Sequence, residues 1–201
     1  MDRLLYRDLL VWKASKHRKP LILNGARQVG KTWLLKEFGQ REYESVAYIN
    51  CEKAVNLDDV FENFDTKRLV RSLSALSGVD IRPEKTLIIL DEIQEFPRAL
   101  TSLKYFCEDA PEYHVVVAGS LLGIALHAGI SFPVGKVDFL RLYPLTFEEF
   151  LLANKKEIAV EVLNKKDWET LKSLSTMFVE LLRQYYYVGG MPAVVSAFLE
   201  G

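Results

Sequence analysis

The run Gly25-Ala26-Arg27-Gln28-Val29-Gly30-Lys31-Thr32 constrains the fold of this chain more than any other stretch. It fits the pattern G-x-x-x-x-G-K-[ST], a loop whose glycines let the backbone curl until its N–H groups face inward. Amides turned inward in this way cradle phosphate oxygens. The pattern is meaningful only between a buried strand and a helix, and both are present. Leu21-Ile22-Leu23 is a short apolar run between Pro20 and Gly25, and residues 31–38 read as a helix. The helix aims its N-terminus at the phosphates, where its dipole favours negative charge. Lys31 supplies a point charge for the β- and γ-phosphates, and the Thr32 hydroxyl is placed to ligate Mg²⁺. The predicted nucleotide-binding run is Gly25 to Thr32, with Trp33 directly after it.

Further short apolar runs alternate with helical patterns. Val46–Ile49, Leu87–Leu90, residues 115–118 and residues 137–142 read as strands. Residues 3–16, 54–64, 66–77 and 98–109 read as helices, with Gly78 a C-cap for the third and Leu100, Leu103 and Phe106 the inward face of the fourth. This alternation predicts an α/β three-layer sandwich around a mostly parallel five-stranded sheet. After Pro144 the pattern changes: residues 146–200 read as all helix, broken near Asn164 and at Gly189-Gly190. The expected division is a sheet domain over 1–143 and a helical, lid-like subdomain over 144–201.

Composition narrows the classes. With 201 residues and 49% hydrophobic content, the chain can bury a core without a metal or disulfide staple. A net charge of −1 argues against a surface built throughout for nucleic acid or anionic membrane. Tyr113 to Gly135 holds no charged residue, yet Gly119, Gly123, Gly129 and Pro133 interrupt it, so it reads as a buried strand meeting a turn and not as a membrane span. Cys51 and Cys107, with His17, His114 and His127, have no zinc-like spacing and read as two reduced thiols and three scattered imidazoles. The early mixture of Asp2, Arg3, Arg7 and Asp8 is unlike a signal peptide. A cytoplasmic setting is expected.

Two more segments bear chemistry. Leu87-Ile88-Ile89-Leu90 buries a strand from which Asp91 emerges at the C-terminal end, where open α/β sheets place ligands. An aspartate there holds Mg²⁺, and Glu92 next to it can polarise a water for attack on the γ-phosphate. Asp91 and Glu92 also suit a plain helix cap. Val115-Val116-Val117-Ala118-Gly119 leads to Ser120, either a residue that orients water or touches the γ-phosphate, or the N-cap of a helix over 121–127.

GARQVGKT, LDEIQ, AGSLLG and LYPLTFEEFL (142–151) together resemble one prokaryotic family of AAA-type P-loop ATPases, and the wider archaeal-ATPase and STAND-like groups. The resemblance implies an ASCE-type sheet, with the 115–119 strand between the P-loop strand and the strand ending in Asp91. It implies that Glu92 is the catalytic glutamate, with ATP and Mg²⁺ as ligands. Gly190-Met191-Pro192 is similar to the G-x-P element that such ATPases place over the adenine, although Gly-Gly closing one helix and Pro192 opening the next explain it equally well. Family members usually carry a C-terminal domain of unknown function after the ATPase domain. The resemblance thus implies a further domain past Gly201, through which a protein or nucleic-acid partner would be engaged.

The residues admit other readings. Asn164-Lys165-Lys166-Asp167 matches the guanine-reading N-K-x-D, but in a GTPase Asp91 should begin D-x-x-G and here it begins Asp91-Glu92-Ile93-Gln94, and a Lys-rich turn before a helix over 167–185 explains the match more simply. A small-molecule kinase lacks its arginine-rich lid here. A slow ATP-gated switch is not separated from a fast ATPase by the sequence. Arg27, Arg141 and Arg183 read as surface or ion-pair residues ahead of arginine fingers. Oligomeric state is left open.

Overall fold

The computed structural model describes residues 2–54, 57–119 and 135–201. The chain divides into two compact units, one of Arg7–Leu142 and one of Tyr143–Gly201 joined by the N-terminal residues through Tyr6.

The first unit contains a five-stranded sheet of β1 (Leu21–Asn24), β2 (Ser45–Asn50), β3 (Thr86–Asp91), β4 (His114–Gly119) and β5 (Asp138–Arg141). Every pairing is parallel and the order is β2-β3-β4-β1-β5. The strand at 115–119 does lie between the loop-bearing β1 and β3. Parallel pairing puts the C-terminal ends of all strands on one edge, so Asn24, Asp91 and Gly119 finish there together. All six residues of β3 and of β4 are buried, as expected for central strands covered on both faces. The charge-free stretch from Tyr113 begins with β4. No helix among the described residues is long and apolar enough to cross a membrane.

Helices α1 (Tyr6–Ala14), α2 (Lys31–Glu42), α3 (Leu57–Val60), α4 (Thr66–Ser77) and α5 (Pro97–Asp109) connect and cover the strands. On α5, Leu100, Leu103 and Phe106 join Ile88, Leu90, Val115 and Val117 in one core cluster. Asp65 caps α4 by accepting from the Arg68 N–H at 3.0 Å, and Gly78 ends it in the left-handed region. The helix expected over 54–64 is reduced to Leu57–Val60. The chain turns directly after it, with Phe61 driven into the core and Phe64 at φ 51, so that Asp65 can take its extended capping conformation.

The second unit is helical: α6 (Phe147–Ala153), α7 (Glu157–Asn164), α8 (Trp168–Ser173), α9 (Ser175–Val188) and α10 (Pro192–Glu200). Thr146 and Glu149 form a capping box at the start of α6. Breaks fall at Lys155 (φ 56) and at Leu174 as well as near Asn164 and at Gly189-Gly190. The helix expected over 167–185 is therefore two helices. Arg3 ties the N-terminal residues to this unit: its Nε lies 3.0 Å from Glu149 Oε1, and Glu149 Oε1 also accepts from the Leu4 N–H at 2.8 Å. The sequence division placed these residues with the sheet.

Candidate functional site

The loop after β1 is built from backbone conformations that few residues adopt. Gln28 has φ 64 and Gly30 φ 93, both left-handed. Gly25 is needed for a different reason. A Cβ there would collide with the Leu142 carbonyl oxygen, which packs against the loop because the Leu142 N–H donates to Asn24 O at 2.8 Å. Asn24 Oδ1 accepts from the Gly25 N–H at 2.7 Å and fixes the loop's first peptide. Val29 is fully buried and anchors the loop from beneath.

Gly30 is the N-cap of α2 and offers no side chain to its first turn, so the helix's leading N–H groups meet no cap of that kind. Lys31 turns back over the loop. Its Nζ donates to the Gly25 and Ala26 carbonyls, each at 2.8 Å. Burial lowers its pKa from the usual lysine value, while the Glu92 and Asp91 carboxylates oppose that shift.

Thr32 Oγ1 donates to Asp91 Oδ2 at 2.7 Å. The same oxygen accepts from the Tyr48 hydroxyl at 2.9 Å, and Asp91 Oδ1 accepts from the Glu92 N–H at 3.1 Å. Asp91 is therefore a buried carboxylate held by three donors. Burial, then the bond to Asp91, pushes the Tyr48 phenol up to about 12. Glu92 has φ 52, which turns the chain sharply out of β3 into a 3₁₀ turn at Ile93–Glu95. Gln94 Nε2 donates to Glu92 Oε2 at 2.6 Å.

A cavity of about 550 Å³ is lined by Arg27, Gln28, Gly30, Lys31, Thr32, Trp33 and Glu92. Residues expected from two separate motifs thus meet in one place. Ser120, and the helix expected over 121–127, lie outside the described residues. Pro192 belongs to the helical unit, where it is the first residue of α10; Gly189, at φ 73, closes α9 ahead of it. Asn164 ends α7 and donates from Nδ2 to Glu148 Oε1 at 2.8 Å, and Asp167 caps α8 by accepting from the Thr170 N–H at 3.1 Å. Those positions are a helix–helix turn, with no strand end to present a guanine-reading loop.

The sequence reading missed Tyr48 and Gln94. For Tyr48 a signal existed: β2 alternates buried Ala47 and Ile49 with the less buried Tyr48 and Asn50, which share the other face. Lys36 of α2 lies over the Tyr48 ring, 3.6 Å from its centre.

Strand order, the Gly30–Thr32 turn into α2 and the acidic end of β3 together define a P-loop nucleoside-triphosphatase domain. Residues 17–151, about two thirds of the chain, match the AAA domain family, and the chain belongs to it. It is 23% identical over 207 residues to the uncharacterized protein MJ1637 of Methanocaldococcus jannaschii, a match covering 92% of this chain. The chain spans only 41% of that relative's length. Among solved structures it is similar to Drosophila ORC bound to DNA, with a TM-score of 0.51 and 15% identity over 80% of this chain and 48% of that one. It also matches the ADP form of the Aeropyrum pernix ORC2 protein, with a TM-score of 0.46 and 18% identity over 76% of this chain and 50% of that one.

Proposed function

We propose that this domain binds ATP with Mg²⁺ and hydrolyses it to ADP and phosphate. The observation that supports this best is the cavity in which Gly30, Lys31 and Thr32 of one motif meet Glu92 of another. The amides of residues 25–32 cradle the phosphates. Lys31 leaves the Gly25 and Ala26 carbonyls and neutralises charge on the β- and γ-phosphates. Glu92 accepts a proton from the attacking water. The barrier falls through placement and electrostatics, with no covalent intermediate on the protein.

Thr32 and Asp91 would hold the metal. Their hydroxyl and carboxylate oxygens are the hard donors that Mg²⁺ selects, and they already lie within hydrogen-bond distance. Bound there, Mg²⁺ supplies electrostatic stabilisation of the phosphate oxygens. A cytoplasmic setting agrees with the unpaired Cys51 and Cys107.

Nucleotide state is then relayed to an effector. The length of the archaeal relative, of which this chain spans 41%, supports a larger protein around the domain. The test is phosphate release under saturating ATP, with and without Mg²⁺, alongside calorimetric binding of ATP and GTP. Metal-dependent release and preference for ATP support the reading. Binding of GTP in preference to ATP, or binding without any release, overturns it.

A further inference from the structure

Gln94 lies two residues beyond Glu92, and the 3₁₀ turn folds its side chain back onto that carboxylate. Its Nε2 donates to Glu92 Oε2 at 2.6 Å, a short charge-assisted bond. The other end of the same amide is unusual. Gln94 Oε1 is buried, and among the described residues no donor reaches it. A buried acceptor left unpaired is costly, so native sites rarely keep one without a use. An amide flip does not relieve it, because that would set Oε1 against the carboxylate. The amide is thereby oriented: donor to Glu92, acceptor left over, beside a residue that lines the cavity.

We infer that Gln94 is the positioning residue for Glu92. Its Nε2 holds Glu92 Oε2, leaving the other carboxylate oxygen to receive the proton of the attacking water. Its Oε1, buried and outside the cavity lining, does not meet the water, so Gln94 acts on the reaction through Glu92 alone. No bond to Gln94 forms or breaks; the proton goes to Glu92, the water oxygen bonds to the γ-phosphorus, and the bond from that phosphorus to the bridging oxygen breaks as ADP leaves. This rests on the proposed hydrolysis, and on Glu92 as its base.

Gln94→Met keeps the side chain's length and removes both polar atoms. It is expected to lower kcat about ten- to a hundredfold, the scale of a misplaced reacting group, with the Kd for ATP within about twofold of wild type. Gln94→Met combined with Glu92→Gln should be no slower than Glu92→Gln alone, because Gln94 acts through Glu92. A kcat within twofold of wild type, a kcat that rises, or multiplicative losses in the double variant overturns the inference. A measurement without nucleotide covers a variant that fails to fold. The Gln94 side-chain amide proton, followed by NMR in the wild-type protein, should lie downfield and move upfield in Glu92→Ala; an unmoved resonance also overturns it. Failure of the underlying reading is distinct: there Glu92→Gln itself turns over near the wild-type rate.

Discussion

Tyr48 and Thr32 donate to the same oxygen of Asp91, at 2.9 and 2.7 Å, and so tie β2, α2 and β3 together at one carboxylate. Tyr48 stands opposite Ile89 in the parallel register, so its hydroxyl reaches forward along β3 to Asp91. Tyr48→Phe removes one donor and leaves Thr32. The Mg²⁺ concentration giving half-maximal turnover should rise about three- to tenfold, since the carboxylate loses an orienting bond. An unchanged Mg²⁺ titration would show that the tyrosine only packs. The same variant has an alkaline signature. The folded phenol, at about 12, lies above the ordinary value of 10, so its stabilisation is complete below pH 10 and is lost as pH rises towards 12. Denaturant midpoints should therefore fall less steeply between pH 10 and 12 in Tyr48→Phe than in wild type.

Lys31 bridges two loop carbonyls, so its removal acts twice. If the proposed phosphate site is right, Lys31→Ala should weaken ATP binding by about a hundredfold or more, measured by calorimetry, because the charge proposed to neutralise the phosphates is lost. It should also loosen the loop in the absence of nucleotide, seen as faster amide exchange at residues 25–30. Unchanged affinity would remove the loop from the site.

Glu92→Gln keeps the shape of the side chain and removes its basicity. Turnover should drop about 10²- to 10⁴-fold, the usual contribution of a general base, while ATP binding stays within a few-fold. Chelating the metal with EDTA should stop turnover in the wild-type protein to a similar degree. Persisting turnover in Glu92→Gln would place the base elsewhere.

The elements legible in the sequence were those whose signal is local. Leu87–Leu90 is a run of four aliphatics that only a doubly covered strand accommodates, and Gly78 needs its positive φ whatever surrounds it. Gly25 to Thr32 is legible for the same reason, because loop conformation, charge and helix start are written in adjacent residues. Tyr48 and Gln94 act across distance. Tyr48 matters only once β2 pairs with β3, and Gln94 only once the turn at Glu92 brings its amide back. The helix expected over 54–64 failed because apolar spacing there serves Phe61's burial and not a continuous helical face.

His114 is buried at the start of β4, with its Nδ1 2.7 Å from the Tyr43 hydroxyl and its ring edge-on to Trp12 and Tyr43. Burial, with Arg18 and Lys13 nearby, lowers its pKa from 6.5 to about 4. The unfolded chain therefore takes up the proton first as pH falls. Stability contributed by the neutral ring is present above pH 6.5 and is lost between 6.5 and 4, a loss of about 3 kcal/mol. His114→Gln should flatten this part of the acid-unfolding profile while lowering stability at pH 7. An acid profile unchanged by the substitution would assign the loss to carboxylates instead.

Arg3 and Glu149 form a buried ion pair within the helical unit, their side chains each 4% exposed. Glu149 is fully engaged: Oε1 accepts from Arg3 and from the Leu4 N–H, and Oε2 accepts from the Thr146 N–H at 2.9 Å as half of the capping box. Arg3 also donates to the Tyr143 carbonyl at 2.5 Å. Removing one charge strands the other, so Arg3→Ala should cost about 3–5 kcal/mol in that unit. Glu149→Gln keeps one acceptor oxygen, which can serve the Arg3 and Leu4 donors but not the Thr146 N–H as well, and should still cost less than Arg3→Ala. Arg3→Met with Glu149→Met removes both charges and should recover much of the loss, because the desolvation of two ions disappears with the pair. Denaturant unfolding of the four proteins, followed by amide exchange at residues 147–153, checks the order. A double variant as unstable as Arg3→Ala would mean that the pair's hydrogen bonds to the backbone, and not its charges, hold the N-terminal residues in place.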